Sequence, residues 1–424
     1  MRGAAFEKVA VIGSGVAGLS AAYVLQRRFD VTLIEADDRL GGHAHTHEVL
    51  TSDRGLVPVD SGFIVHNRAT YPHLIRLFSE LGVTTQPTDM SMSVRCEGCG
   101  LEYAGARGPG GVFAAPGAAM RPAFLRMLAE IARFHRHARR VLESLDSDVT
   151  LGRFLADGGY SAYFTSHFMV PVVSAVWSAA PGTALLYPAR YLFTFLANHG
   201  MLSVKGSHQW YTVTGGSRTY VEAVAKNLSA VKLSTPVRAV RRLADRSGVE
   251  LTLGSGRTET FGRAVIATHP RTALALLSSP TEQEARVLGA FDYSHNLTVL
   301  HQDPGVLPRR PRARASWNYL LPSCSAGSDR VLVSYDMNRL QRLPTSDPYV
   351  VTLNATDRID PDRVVARMHY EHPIYTPASV AAQHLLPSLN GPTVAFAGAY
   401  HGWGFHEDGC RSGVAAAASL GVPW

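Results

Sequence analysis

No run of apolar residues in this 424-residue sequence reaches the ~18 that a membrane-spanning helix needs, and Pro171 and Pro181 interrupt the best candidate. A membrane span is therefore not expected. Cysteine is scarce as well. Four thiols in the whole chain are too few and too scattered for a disulfide framework, which points to a reducing cytoplasm. Cys96-Glu97-Gly98-Cys99 has the spacing of half a zinc site. Its would-be partners Cys324 and Cys410 stand singly and far along the chain, so the pair is read as a turn and no metal is expected. The sequence also has no G-x-S-x-G elbow, no H-E-x-x-H and no phosphate loop ending in Gly-Lys-Ser/Thr, which argues against the hydrolase, zinc-protease and P-loop chemistries those motifs carry. The net charge of +7 is spread evenly along the chain. It nowhere forms a basic groove interleaved with aromatics, so a nucleic-acid partner is not expected.

What is present is a globular composition, 46% hydrophobic and 18% charged, over a length that exceeds one typical core. Two domains are expected. The stretch from Val9 to Glu35 organises the rest. Val9–Ile12 is a short β-branched run, and Gly13-Ser14-Gly15-Val16-Ala17-Gly18 fits G-x-G-x-x-G immediately after it. Gly13 allows the tight turn, Gly15 lets the backbone approach a pyrophosphate, and Gly18 lets the following helix pack against the strand. The helix start, from Val16 and Ala17, then faces the phosphates with unpaired N–H groups and a positive dipole end. Glu35, after the strand-like Val31-Thr32-Leu33-Ile34, stands where a carboxylate accepts ribose hydroxyls, with Ala36 beside it. Arg2 and Lys8 ahead of an apolar run to Leu25 also have the outline of a secretory signal. A signal core has no use for spaced glycines and a terminal acid, however, and no clear small-residue cleavage site follows.

Beyond Glu35 the chain reads Asp37-Asp38-Arg39-Leu40-Gly41-Gly42-His43, and with Asp60-Ser61-Gly62-Phe63 it resembles the flavin-containing amine oxidoreductase superfamily. Four blocks, 9–63, 211–240, 249–269 and 394–418, match that pattern in order. The resemblance implies FAD as cofactor. It places Arg39, Gly41, Gly42 and His43 around its flavin half, Gly62 and Phe63 beneath the ring, and Val237 at the adenine. In Phe396-Ala397-Gly398-Ala399 it supplies Gly398 and Ala399, although the superfamily usually carries an acid where Ala399 stands. Glu407, Asp408 and Gly409 open a final Ala-rich helix whose N–H groups can stabilise the flavin edge. The lysine that many amine oxidases hold near flavin N5 is replaced by Asn296. His401 and His406 border the same loop and are the remaining candidates to handle a proton.

His43, His45 and His47 alternate, which would set three imidazoles on one face. FAD alone accounts for that segment, and no carboxylate or thiolate falls at ligand spacing. Between Tyr71 and about His199 a mostly helical insertion is expected. Its most regular part is 119–145, where Phe124, Leu128, Ile131, His135, Ala138, Leu142 and Leu145 share one face. The other face carries Arg121, Arg126, Arg133, Arg136, Arg139 and Arg140, a basic amphipathic pattern compatible with either solvent or an anionic membrane surface. Phe168–Trp177 is apolar nearly all round and reads as buried. A second excursion, about 271–383, alternates like an antiparallel sheet.

The expected architecture is therefore α/β: a discontinuous FAD-binding Rossmann-like domain (1–70, 205–270, 385–424) and an interleaved substrate domain of antiparallel sheet plus helices (71–204, 271–384). Asn198-His199-Gly200, Trp317-Asn318-Tyr319, Tyr370-Glu371-His372-Pro373 and the run 402–409 further resemble a bacterial branch of predicted NAD/FAD-binding oxidoreductases associated with cyclopropane-type fatty acyl modification. That resemblance implies an FAD enzyme taking hydride from a C–H bond of an apolar or acyl substrate, with oxygen as acceptor. An amine oxidase, a redox-neutral isomerase of unsaturated acyl chains and a non-catalytic flavoprotein partner of a lipid-modifying enzyme are the alternatives.

Overall fold

The computed structural model describes residues 7–144, 148–203, 207–245, 247–325 and 330–424. Lys8–Ile12 is the middle strand of a five-stranded, wholly parallel sheet in the order 230–232, 30–34, 8–12, 263–266, 394–396. The strands are short and, apart from the edge strand 230–232, almost fully buried, as a parallel sheet covered on both faces requires. Side chains alternate strictly between two cores. Val9, Val11, Val31, Leu33, Val265 and Ala395 point into one. Ala10, Ile12, Ile34, Ile266 and Phe396 point into the other. The first core is closed by helix Val16–Leu25 and the terminal helix His406–Ser419. These two approach to backbone contact, because a Cβ on Gly413 would stand 2.2 Å from the Ala17 carbonyl oxygen. Only glycine permits that approach. The second core is covered by the antiparallel strands Val237–Arg242, Val249–Leu253 and Thr258–Phe261, with helices Pro270–Leu276 and Glu282–Leu288.

A seven-stranded sheet forms the other half, in the order 364–374, 292–301, 350–353, 333–336, 317–321, 92–96, 102–104. Its first five strands come from the second excursion and are antiparallel throughout. The last two correct the expectation of a mostly helical first insertion. Met92–Cys96 pairs in parallel with Trp317–Leu321 and hairpins into Glu102–Ala104, while Thr85–Thr88 joins Trp210–Val213 and His66–Asn67. Short strands bounded by polar turns lack the length that made the helices legible.

Helices Pro122–Glu143, Val170–Trp177 and Ala189–Asn198 share one core with this sheet. The basic helix is rotated from the face read in the sequence. Its buried residues are Phe124, Met127, Glu130, Phe134, His135 and Ala138, whereas Leu128, Ile131 and Leu142 are half-buried and Leu145 lies outside the described residues. The buried Glu130 carboxylate causes the shift. It accepts hydrogen bonds from the Ser161 N–H (3.0 Å) and hydroxyl (2.5 Å), fixing the start of the helix that opens at Ala162. Among the described residues no helix is long and apolar enough to cross a membrane.

Candidate functional site

The phosphate end of the cradle is made of backbone. Gly13 has φ +97°, and a Cβ there would lie 2.8 Å from the Ala267 carbonyl oxygen. A Cβ on Gly18 would lie 1.9 Å from the Gly13 carbonyl oxygen. Gly15 differs from both, since a Cβ on it would meet nothing within 4 Å. That open side faces the N-terminus of helix Val16–Leu25, where unpaired N–H groups await an anion. Over it leans the Gly-Gly loop. Gly42 has φ +57° and its Cβ would be 3.3 Å from Gly15 Cα, while the Gly41 N–H donates to the Ser14 carbonyl and hydroxyl oxygens, both at 3.1 Å. Glu35 Oε2 accepts from the Ser14 N–H (2.8 Å) and hydroxyl (2.6 Å), and Oε1 from the Asp37 N–H (3.0 Å). The Glu35 peptide is bonded to Lys232 and Thr235, which brings half-buried Val237 to the same edge, whereas Ala36 is exposed.

The ring end is made of side chains gathered from distant segments. Residues 43–45 and 61–63 are zipped together, the Phe63 N–H donating to the His43 carbonyl at 2.7 Å, and a Cβ on Gly62 would lie 2.2 Å from that same oxygen. The His43 ring packs on Tyr370 (4.9 Å between centroids) and edge-on to His372 (5.5 Å). Tyr370 Oη stands 3.0 Å from His45 Nδ1 and 2.7 Å from Ser61 Oγ, which is 2.9 Å from His47 Nε2. Asp60, beneath this layer, accepts from Thr46, Ser217 and Gln341, and burial pushes its carboxyl up to about 6. Burial likewise lowers the imidazoles. His43 falls well below the ordinary range, His372 and His401 to about 4 and His406 to about 3. At neutral pH this end therefore holds neutral rings.

Two of the three candidate catalytic residues are redirected by the structure. Asn296 is 3% exposed and its amide is fully engaged, with Nδ2 on Ser294 Oγ and His372 Nδ1 (3.1 Å each) and Oδ1 accepting from Asn354 (2.7 Å). It reaches the ring end through His372. The His406 ring lies flat on Phe63 at 3.6 Å with Nε2 3.1 Å from Tyr220 Oη, a packing role. The terminal helix begins at His406, one residue earlier than expected, and the side chains of its first turn point elsewhere. Glu407 accepts from the His73 N–H, the Leu74 N–H and His73 Nδ1 (3.1, 3.0 and 2.7 Å), capping helix Pro72–Leu81. Asp408, pushed up to about 6 by burial, accepts from the Phe405 N–H and from Arg411. Gly409 seats the helix on Val16, whose Cγ1 would lie 2.6 Å from an added Cβ. Only the backbone of these three residues remains for a ligand. Gly398 donates its N–H to Ser412 Oγ, and half-buried Ala399 accepts from the Gly402 and Gly404 N–H groups, folding the loop back on itself. The Arg39 guanidinium is half-exposed beside the Leu40 carbonyl.

Whether FAD fits can be judged from what the cradle leaves open. Deeply placed residues keep part of their surface accessible along one path: Gly13 and Gly15, then Gly42 and His43, then Gly62, His372 and the run 401–406. Among the described residues, His43 Nε2, His401 Nε2, Trp403 Nε1, Tyr375 Oη and Tyr400 Oη are buried polar atoms without a partner. Buried polar groups are rarely left unpaired, so the ring end calls for a ligand with nitrogen and oxygen atoms along its edge. An isoalloxazine has such an edge, and a pyrophosphate fits the open side of Gly15. The residues fit FAD.

Sequence reading missed the wall opposite the terminal loop. Trp177 Nε1 donates to the Trp403 carbonyl (2.9 Å), Tyr191 Oη to the Gly402 carbonyl (2.8 Å), and Gln383 Nε2 to the Tyr400 and Gly402 carbonyls (2.9 and 2.6 Å). Phe195 stacks on Phe405 at 5.0 Å, and Tyr191 packs on Tyr375 at 5.0 Å. The aromatic spacing in 187–195 was the available signal. A second correction concerns the cysteines. Cys96 and Cys99 do not stand alone, because folding brings Cys324 and His167 to them.

The sequence profile of flavin containing amine oxidoreductases matches residues 16–312. AofH of Mycobacterium tuberculosis, which carries the name of a flavin-containing monoamine oxidase, is 28% identical over 291 residues. That stretch covers 64% of this chain and 59% of AofH, less than two thirds of that relative's length. Among solved structures, the cyclohexylamine oxidase of Brevibacterium oxydans has a TM-score of 0.68 at 18% identity, over 98% of both chains. The CLA-producing fatty acid isomerase of P. acnes has a TM-score of 0.66 at 14% identity, over 96% of this chain and 97% of that one. At such identities the likeness is one of fold. Matched over well more than half its length by the family profile, the chain belongs to the flavin-containing amine oxidoreductase family.

Proposed function

We propose that this oxidoreductase removes hydride from a C–H bond of an apolar substrate, an acyl chain before an amine, with oxygen as the final acceptor. The observation that carries the reading is the aromatic layer around the terminal loop, where Trp177, Tyr191 and Phe195 pack on Tyr375, Trp403 and Phe405, and the nearby Asp408 carboxylate is already taken by the Phe405 N–H and Arg411. Position 296 supports it, since an amide bound into its own network stands where an amine oxidase lysine is expected. The sequence has only Lys8, Lys205, Lys226 and Lys232. Lys8 and Lys226 are exposed, Lys232 pairs with Glu259, and Lys205 lies outside the described residues. Bound FAD would supply the hydride-accepting chemistry. The aromatic wall would orient the chain and exclude water, and His401, neutral and with Nε2 unpartnered, would hold or release a proton at that atom.

Amine oxidation is the second reading, favoured by the name of AofH and by Tyr370, Tyr375, Tyr400 and Trp403, rings able to surround a neutral amine. The fold shared with a fatty acid isomerase is compatible with a third, in which hydride leaves one carbon and returns to another. Anaerobic mixing of the oxidised holoprotein with unsaturated or methyl-branched acyl lipids, and separately with primary amines, tells them apart by bleaching of the visible flavin band. Bleaching by a lipid, with peroxide formed on admitting oxygen, is expected. Bleaching by amines alone would establish the amine oxidase, turnover of a lipid without peroxide the isomerase, and no bleaching beside a stable protein partner a structural role. The same proposal includes a peripheral contact with anionic membrane. Met120 and Leu125 are 82% and 44% exposed at the start of the basic helix, next to exposed Arg126 and on the same helix as exposed Arg136 and Arg140.

A further inference from the structure

Four side chains that the flavin chemistry does not use converge at the far edge of the seven-stranded sheet. Cys96 ends strand Met92–Cys96, and Cys99 follows in the turn before Glu102–Ala104. Cys324 comes from the segment after Trp317–Leu321, and His167 from the helix that leads to Trp177. Their ligand atoms all lie within 4.8 Å of one another. Cys96 Sγ is 3.8 Å from Cys324 Sγ, and Cys99 Sγ is 3.7 Å from His167 Nε2. The edge of a tetrahedron with Zn–S bonds of about 2.3 Å and Zn–N bonds of about 2.0–2.1 Å is roughly 3.6–3.8 Å. We propose that Cys96, Cys99, Cys324 and His167 bind one structural zinc ion.

The surroundings are those of a ligand set. His167 Nδ1 lies 3.2 Å from the Tyr163 carbonyl and 2.8 Å from Ser166 Oγ, which places the ring proton there and leaves the Nε2 lone pair facing the thiols. The Tyr163 ring stacks on His167 at 3.9 Å, and the backbone carbonyl of His167 accepts from Tyr103 Oη at 2.7 Å. His167 sits in a single π-helical turn, Thr165–Met169, between α-helical stretches. Such wide turns insert a residue and re-aim its neighbours, often at functional positions. Gly98 makes room for the third cysteine, because a Cβ there would lie 2.9 Å from the Cys324 nitrogen and 3.2 Å from its Sγ. Gly100, with φ +67°, turns the chain back into the hairpin. On binding, Zn²⁺ displaces three thiol protons to solvent, and with a neutral imidazole the site carries one negative charge. The Arg121 guanidinium, donating to the Cys99 carbonyl at 2.9 Å, lies beside that charge.

With four protein ligands the site is closed and structural. It ties the hairpin and the 322–325 segment to the helix whose other end carries Trp177, and through Trp177 to the terminal loop. The inference does not depend on the substrate. Elemental mass spectrometry of tag-free holoprotein, purified without chelator, is expected to find about one zinc per chain, falling below about 0.2 in Cys99→Ser and in Cys324→Ser and unchanged in Cys410→Ser. Should the serine variants fail to fold, the wild type decides. Titration of its thiols with a mercurial would release zinc in step to a metallochromic dye, and cobalt-loaded protein would show thiolate-to-cobalt charge transfer. Wild-type protein with less than about 0.1 zinc per chain and with Cys99 and Cys324 titrating freely would overturn the proposal. So would a Cys96–Cys324 disulfide found by peptide mass spectrometry, or iron in place of zinc.

Discussion

The two ends of the cofactor cradle are built on opposite principles. The phosphate end is one continuous segment in which Gly13, Gly15 and Gly18 present backbone, and its conformation follows from turn and helix geometry alone. At the ring end, residues 43–47, 60–63, 370–375 and 401–408 contribute side chains that hold one another in place across the molecule. A backbone site tolerates changes almost everywhere except at its glycines. A side-chain site depends on many residues, each through its neighbours, and its buried imidazoles tie it to pH.

The largest expected effect tests the first principle. Because a Cβ on Gly15 meets nothing within 4 Å, Gly15→Val is expected to fold and yet lose FAD on purification, a valine filling the space a pyrophosphate requires. Full flavin retention, read from the absorbance of the folded variant, would break the comparison.

Acid tests the second. His66, beside Phe63, and His199, stacked on Phe195, are 2% and 5% exposed, and burial lowers both from 6.5 to about 4. The unfolded chain binds these protons below pH 6.5 while the folded chain does not. Stability is therefore full above pH 6.5 and falls as the pH drops toward 4, by up to about 3 kcal/mol per histidine. Thermal melting between pH 7 and pH 4.5 measures this, and a midpoint independent of pH would refute it.

Glu35→Gln should weaken FAD binding about tenfold, since charge-assisted hydrogen bonds contribute roughly 1.5–3 kcal/mol and an amide keeps only part of the accepting capacity. Equal dissociation constants would remove Glu35 from the nucleoside contact. The smallest change sharpens the contrast from the other side. Asn296→Ala should reduce unfolding free energy by about 1–3 kcal/mol by removing one of the partners of the Asn354 amide and leaving His372 Nδ1 without its own, with flavin retained. Loss of flavin without loss of stability would place Asn296 in direct contact with the ring.

What the sequence determined by itself is whatever is encoded within a few turns of chain. Val9–Glu35 reads as strand, glycine turn, helix and strand because each step depends on neighbours within the segment, and the same locality made the alternating strands of the second excursion and the buried Val170–Trp177 legible. Only tertiary packing decided where side chains end. Glu407 looked like a flavin contact at a helix start, yet the packing of helix Pro72–Leu81 against it turns its carboxylate to the His73 and Leu74 N–H groups. His406 is held between Phe63 and Tyr220, residues far from it in sequence. Cys96 and Cys324 are 228 positions apart and meet because Met92–Cys96 pairs in parallel with Trp317–Leu321, a pairing that no local periodicity encodes. Turn chemistry and periodicity are short-range and survive in one dimension, whereas the partner of a buried polar group is chosen by how separate elements pack.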